Sequence, residues 1–262
     1  MTQRRFDIDR YRQKMSASEK VKAYFYPETM LGGFTRKDGT VEFYSRVNAL
    51  LAENDVVLDY GAGRGAWTEL DDSPFRRSLR GFQGKVARVI ACDVDEAVLQ
   101  NQASDEQFVI TPGEALPLAD QSVDVIVTDW VLEHLEEPVD VFKELHRILK
   151  PGGWICARTP NKYGYITLLT GLIQNRFHTR VLKRAQPGRK EIDVFPTVFK
   201  MNSIRDVDAV CGQVGFENHT YRFTPEPGYF FDSRVIFFVF NCIDAIVPRG
   251  MMPTLMVFLR KP

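Results

Sequence analysis

The stretch V-V-L-D-Y-G-A-G-R-G-A-W, from Val56 to Trp67, constrains the fold of this chain more than any other. Val56, Val57 and Leu58 form a short apolar run that ends on the carboxylate of Asp59, and Gly61, Gly63 and Gly65 then fall at alternate positions. The pattern predicts a buried strand entering a turn that opens a helix. Glycine lets the backbone take positive φ and approach a ligand closely, and a helix N-terminus presents N–H groups to an anion. A ligand with a carboxylate or phosphate is expected there.

From Val56 onward the rhythm is strand, helix, strand. Strands are predicted at Val56–Leu58, Ala87–Cys92, Phe108–Thr111, Val123–Thr128 and Trp154–Arg158, each short and mostly β-branched or apolar. A helix is predicted from Pro138 to Lys150, with Val141, Phe142, Leu145, Ile148 and Leu149 as its apolar stripe and Pro151-Gly152-Gly153 as its stop. Such alternation implies a parallel, doubly wound α/β sheet with right-handed crossovers. Ligands on these sheets bind beyond the carboxyl ends of the central strands, where the glycine turn would lie.

The flanks read differently. Residues 1–15 are charged and weakly patterned and are expected to be mobile, Ser16 and Glu19 make a capping box for a short helix ending before Pro27, and Thr40 is the expected N-cap of a second helix with Val41, Tyr44, Val47 and Leu51 on one face. Residues 1–54 are read as a helical segment or lid, and 55–262 as one core with an insertion at 160–200. In that insertion Arg176, Arg180, Lys183, Arg184, Arg189 and Lys190 occur with no acid among them. A helix capped by Asn202 should run to Val214, and His219–Phe223 and Leu255–Leu259 are two further strands. The aromatic stretch Tyr229–Val247 is read as a helix on the sheet edge, with an interfacial helix as the alternative.

Composition excludes several classes. Lysine plus arginine and aspartate plus glutamate both number 34, so net charge gives no reason to expect nucleic acid. The four cysteines, Cys92, Cys156, Cys211 and Cys242, lie far apart in apolar surroundings, which suits buried thiols better than a metal or disulfide framework. The N-terminus shows no secretory pattern, and the most apolar run, Val235–Ile243, is far shorter than the ~20 residues of a spanning helix. A cytoplasmic protein is expected.

Glycine spacing alone does not choose the ligand. A dinucleotide fingerprint is G-x-G-x-x-G, whereas here the spacing is G-x-G-x-G. Asp93, ending V-I-A-C-D, is placed to accept both hydroxyls of a ribose, which suits NAD as well as any adenosine ligand. Further segments extend the pattern: A-C-D-V-D (91–95), G-E-A-L-P-L (113–118), D-V-I-V-T-D-W-V-L-E-H-L (124–135), L-H-R-I-L-K-P-G-G (145–153) and R-T-P-N (158–161). With D-Y-G-A-G-R-G (59–65), in this order and spacing, the chain resembles the class I S-adenosylmethionine-dependent methyltransferases, and among them the type 11 group that includes ubiquinone and menaquinone biosynthesis enzymes.

The resemblance implies a Rossmann-like sheet of seven strands, mostly parallel with an antiparallel last strand, with helices on both faces. It implies S-adenosylmethionine as cofactor, with S-adenosylhomocysteine as product. Gly61, Ala62, Gly63 and Gly65 would border its methionine part, with Asp59 orienting the turn and the amino group. Asp93 would take the ribose hydroxyls, Val94 would pack on the adenine, Gly113 and Glu114 would run along the adenine edge, and Asp129 and Trp130 would wall the methionine side. Pro112 stands where relatives often carry an aspartate that accepts from the adenine amino group. Trp130 replaces the first acid of an E-x-x-E-H metal motif found in related RNA methyltransferases, so no metal is expected.

A hydroxyl acceptor needs a general base, and the residue that fits is His134, with Asp129 and Glu133 behind it and His178 in the insertion as a further candidate. The plainer reading of His134 is a histidine hydrogen-bonded at a helix start. The expected function is methyl transfer to a small-molecule or glycan acceptor at oxygen. Transfer to nitrogen, cofactor binding without transfer, and a dehydrogenase are the alternatives. The basic run at 176–190 and the aromatics Tyr163, Tyr165, Phe177 and Phe195 suit an anionic or lipid-linked acceptor, or contact with the inner face of a membrane.

Overall fold

A computed structural model describes residues 6–171 and 196–262. Its centre is one mixed sheet of β1 (Val56–Tyr60), β2 (Arg88–Asp93), β3 (Glu106–Val109), β4 (Val123–Asp129), β5 (Leu149–Pro160), β6 (Glu217–Asn218), β7 (Tyr221–Phe223) and β8 (Thr254–Arg260). The order is β3-β2-β1-β4-β5-β8-β6, with β7 also paired to β8. The first five strands are mutually parallel, and β8 runs antiparallel to β5. β6 and β7 lie end to end along β8, so eight strands fill seven positions in the expected Rossmann-like sheet. The predicted strand His219–Phe223 is the interrupted edge, which His219 bridges by donating its backbone N–H to Phe258 O at 2.8 Å.

Both faces of the sheet are buried, and side-chain alternation divides its residues between two layers. Leu58, Ile90, Ile126 and Ile155 face α6 (Pro138–Ile148) and α8 (Ile204–Val214), meeting Phe142, Leu145, Val207 and Val210. Their neighbours Val57, Val89, Val125 and Cys156 face Phe43, Tyr44 and Val47 of α3 (Gly39–Leu50). The strand order reverses between β1 and β4, the switch point where such sheets open a crevice beyond their carboxyl ends.

Several boundaries differ from expectation. Helix α6 stops at Ile148, and Leu149 already pairs with Val123, so Pro151-Gly152-Gly153 lies inside β5 at a register shift. A Cβ at Gly153 would sit 2.7 Å from Asp124 O, so this close approach requires glycine. The cap of α3 is Asp38, whose carboxylate accepts from Thr40 N and Val41 N, rather than Thr40. The cap of α8 is Ser203, because Asn202 is buried and donates its amide to Thr159 Oγ1 and Pro160 O. Residues 8–14, where the sequence pattern predicts no helix, form helix α1 (Ile8–Lys14) capped by Asp7. The capping box does start α2 (Ala17–Phe25). Helix α9 (Arg234–Ile246) packs on α2 through Val21, Tyr26, Phe230 and Phe237 instead of on the sheet edge. The two remaining helices between β1 and β2 are α4 (Trp67–Leu70) and α5 (Pro74–Arg80), and α7 (Tyr165–Gly171) follows β5.

Candidate active site

The glycine turn lies at the carboxyl end of β1. Gly61 N and Ala62 N donate to Cys92 O at 2.8 and 3.1 Å, which ties the turn to the end of β2. Gly63 N donates to Asp93 Oδ2 at 2.8 Å, and Gly63 O accepts from Asn101 Nδ2 at 3.0 Å. Two of the glycines are packed against protein. A Cβ on Gly61 would come within 2.3 Å of Val131 Cγ2, and one on Gly65 within 2.4 Å of Asn101 Oδ1. Gly63 differs. Its φ is +51°, yet a Cβ there would meet no protein atom within 4 Å. The middle glycine therefore borders open space. The turn leads into α4, a helix of a single turn with no side-chain cap.

Three carboxylates gather at the strand ends: Asp59 on β1, Asp93 on β2 and Asp129 on β4. Burial pushes the Asp59 carboxyl up to about 7; Arg80 pulls it down, and the charges of Asp129 and Asp93 push it further up. Asp93 accepts from Gly63 N and also from Asp95 N at 3.0 Å, so it holds the turn from below. A carboxylate has about four lone-pair sites, so two remain for ribose hydroxyls. Val94 is 46% exposed beside it. Gly113 (φ +84°) and Glu114 are exposed beyond β3, where Glu114 N donates to Thr111 O.

Asp129 stands opposite Arg158 in the β4–β5 register. That register produces a two-pronged ion pair, Arg158 Nε to Asp129 Oδ1 and Nη2 to Oδ2, both 2.7 Å. Both side chains are less than a tenth exposed. Burial works against the Arg158 charge, but Asp129 more than compensates and the guanidinium stays firmly protonated. Its Nη1 also reaches Thr40 Oγ1 at 3.2 Å, and its plane lies near the rings of Phe43 and Trp130. Trp130 takes φ +63°, unusual for a bulky residue, and is fixed there by its N–H bond to Arg158 O.

Beyond these residues lies a cavity of about 450 Å³. Trp67 and Trp130 line it together with Arg80, Arg158, Lys22 and Glu226. Lys22 pairs with Glu226 at 3.2 Å, and Arg76, also on the wall, pairs with Asp38 and Asp71. Among the described cations on the cavity wall, Arg80 is the one whose side chain makes no hydrogen bond to a neighbour: its Nη2 is 3.9 Å from Asp129, its Nε is buried without a partner, and it lies near the rings of Tyr44 and Trp67.

His134 closes a short turn after β4, and its Nδ1 is 2.7 Å from Pro196 O, so Nδ1 carries a proton and donates it to that carbonyl. It does not line the cavity. Glu133 is buried, accepts from Thr159 Oγ1 at 2.8 Å, and is pushed up by burial. Its backbone carbonyl accepts from Val198 N and Phe199 N. The basic run 176–190, His178, Phe177 and Phe195 lie outside the described residues. Among the described residues, none between 160 and 171 or 196 and 200 lines the cavity. Sequence reasoning gave no role to Arg158, although R-T-P-N contains it. It also passed over Asn101, Arg80 and Lys22, which belong to no pattern and meet the site only through the fold.

Residues 58–157 match the family model described as a methyltransferase domain. A probable S-adenosylmethionine-dependent methyltransferase of Mycolicibacterium smegmatis is 36% identical over 148 residues, covering 55% of this chain and 52% of that protein. A malonyl-[acyl-carrier protein] O-methyltransferase of Marinomonas sp. is 26% identical over 161 residues, covering 55% and 56%. The chain thus spans about half the length of these relatives. Among solved structures, geranyl diphosphate C-methyltransferase of Streptomyces coelicolor A3(2) superposes with a TM-score of 0.52 at 14% identity, covering 85% of this chain and 79% of that one. At that identity the likeness concerns the fold alone.

Proposed function

Since residues 58–157 form a class I S-adenosylmethionine-dependent methyltransferase domain, we propose that the chain catalyses methyl transfer to the oxygen of a small-molecule or glycan acceptor. The observation that carries this reading is the open space at Gly63 beside Asp59, Asp93 and Asp129. A sulfonium and an ammonium are cationic, and three carboxylates at one crevice mouth suit them. Asp59 faces the amino group, Asp93 the ribose hydroxyls, Val94 the adenine face, and Gly113 and Glu114 its edge. Gly61, Ala62, Gly63 and Gly65 border the methionine part, and Asp129 and Trp130 wall it. When bound, the cofactor supplies a methyl group already activated on a positively charged sulfur.

The remaining work belongs to the protein. Trp67 and Trp130 exclude water from the acceptor space, and Arg80, 3.9 Å from Asp129, draws an anionic acceptor into it. His134 is the proposed base for the hydroxyl proton although it does not line the cavity, and its Nδ1–H bond to Pro196 O orients the ring. Asp129, the second residue proposed for catalysis, acts by holding Arg158 in place. The N-terminal segment 1–54 serves as the lid, a role supported by Lys22 and Thr40 on the cavity wall. The insertion at 160–200 is the proposed source of further acceptor contacts, although its described residues do not line the cavity. A lipid-linked acceptor would bring the enzyme to a membrane surface; no helix among the described residues is long and apolar enough to cross one.

Two results are expected here. His134→Ala should lower kcat by about 10²–10⁴-fold while leaving the dissociation constant for S-adenosylmethionine unchanged. The readout is release of S-adenosylhomocysteine with an acceptor that supports turnover by the parent enzyme; normal turnover would remove His134 as the base. The second concerns Asp59, whose carboxyl stands at about 7. Binding an ammonium requires the carboxylate, so affinity should rise as pH climbs through about 7, each unit below costing up to about tenfold. Stability of the ligand-free protein runs the other way. The folded chain keeps a proton that the unfolded chain releases near 4, so stability falls as pH rises from about 4 to about 7. Calorimetric titrations at about pH 6, 7 and 8 on the parent and on Asp59→Asn check this. The variant should give a flat profile over that window, and a flat profile in the parent would exclude Asp59 from the site.

A further inference from the structure

Helix α9 is amphipathic in the reverse sense to an ordinary surface helix. Beyond its first residue, Arg234, its polar side chains turn inward: Asn241 accepts from Tyr26 Oη at 2.6 Å, and Asp244 accepts from Tyr165 Oη at 2.6 Å and lies 4.0 Å from Lys37. Phe237 is fully buried among Val21, Tyr26 and Phe230. The outward positions are Val235, Phe238, Val239, Cys242, Ala245 and Ile246, a stripe at helical spacing without a charge or an amide. Exposure reaches 73% at Val235, 57% at Phe238 and 81% at Ile246. Surface helices normally show their polar face to water, and a continuous exposed apolar face marks a place where something docks.

The stripe continues onto α2. Phe25 stacks near Phe238 with ring centroids 6.4 Å apart, and exposed Tyr24 meets Phe25 edge-on at 5.0 Å. Around this surface the exposed cations are Arg234, whose guanidinium lies 4.5 Å over Tyr24, Arg249 just past the end of α9, and Lys20 on α2. The neighbouring acid, Asp232, is engaged by Ser18.

We propose that α9 and the adjoining edge of α2 form a docking face for an anionic lipid surface, with α9 lying flat in the interface. Thirteen residues make a rod of about 20 Å, too short to span a bilayer and suited to lying along one. Aromatic rings with arginines beside them suit the boundary between acyl chains and headgroups, and the cationic rim complements anionic headgroups. The outward stripe offers no polar atom with which a protein partner could fix its register, whereas a bilayer requires none. Helix α2 joins this face to the active site, since Tyr24 lies on the docking face and Lys22 on the cavity wall. The inference stands apart from the methyl-transfer reading, because lipid binding needs neither cofactor nor turnover.

The test is co-sedimentation of the full chain with vesicles of phosphatidylcholine alone and of phosphatidylcholine with phosphatidylglycerol. The chain should pellet with the anionic vesicles, and less so at raised salt. The double variant V235E/F238E should weaken that binding about tenfold or more while lowering the melting temperature by at most a few degrees, since Val235 is largely exposed and Phe238 more than half exposed, with Phe25 as its ring contact. R234E/R249E should weaken binding to the anionic vesicles specifically. Failure to pellet with either vesicle would overturn the proposal, as would undiminished binding by V235E/F238E. A dimer in light scattering that V235E/F238E dissociates would assign the face to a second copy of the chain and equally overturn it.

Discussion

Gly63→Val is expected to abolish binding of S-adenosylmethionine, raising its dissociation constant at least about 100-fold, or roughly 3 kcal/mol. The prediction rests on the contrast among the three glycines. At Gly61 and Gly65 an added Cβ would strike Val131 or Asn101, so substitution there disturbs the protein itself. At Gly63 the Cβ would enter space that no protein atom occupies, and the isopropyl group would stand where the cofactor is expected. The fold should survive. A β-branched residue at φ +51° costs about 1–3 kcal/mol, which for a chain of this size lowers the melting temperature by several degrees. Calorimetric titration together with thermal unfolding separates the two effects. Retained affinity in a folded variant would refute the assignment of the turn.

The largest stability effect should come from Arg158. Its charge is buried and offset by Asp129 through two short bonds. Arg158→Met would leave the Asp129 carboxylate without its main partner in a poorly solvated position, and such a loss typically costs about 3–5 kcal/mol. Trp130 should lose its guanidinium contact, while its backbone bond to the carbonyl of residue 158 stays in place. Removing both charges, R158M with D129L, should recover a good part of the stability, because an ion pair of this kind gives little net stabilisation over apolar packing. Urea unfolding of the parent, both single variants and the double variant gives the coupling directly. A loss below about 1 kcal/mol for Arg158→Met would mean that the pair behaves as an exposed one.

Much of the sheet was legible because its signals are local. Val56–Leu58, Val123–Thr128 and Leu255–Leu259 are short apolar runs that both layers of the core require, and each became a strand within a residue or two. The glycine turn was legible for the same reason. Choices settled by distant partners were not. Asp38 and Thr40 are both good caps, but Asp38 is also held by Arg76 from α5, which leaves Thr40 to meet Arg158. Asn202 looked like a cap until Thr159 and Pro160 claimed its amide. Pro151-Gly152-Gly153 signalled a helix stop, yet the helix had already ended so that Leu149 could pair with Val123. The cavity was least legible of all. Lys22 and Glu226 form one wall from opposite ends of the chain, and no spacing rule connects them.

The central claim is that the crevice between β1 and β4 holds S-adenosylmethionine rather than a nicotinamide dinucleotide. Thermal unfolding of the purified chain with each ligand tests it most directly, because only a ligand bound by the folded state raises the transition temperature. S-adenosylmethionine and S-adenosylhomocysteine should each raise it in a saturable manner, and NADH should leave it where it was. Stabilisation by NADH with no response to S-adenosylmethionine would contradict the account.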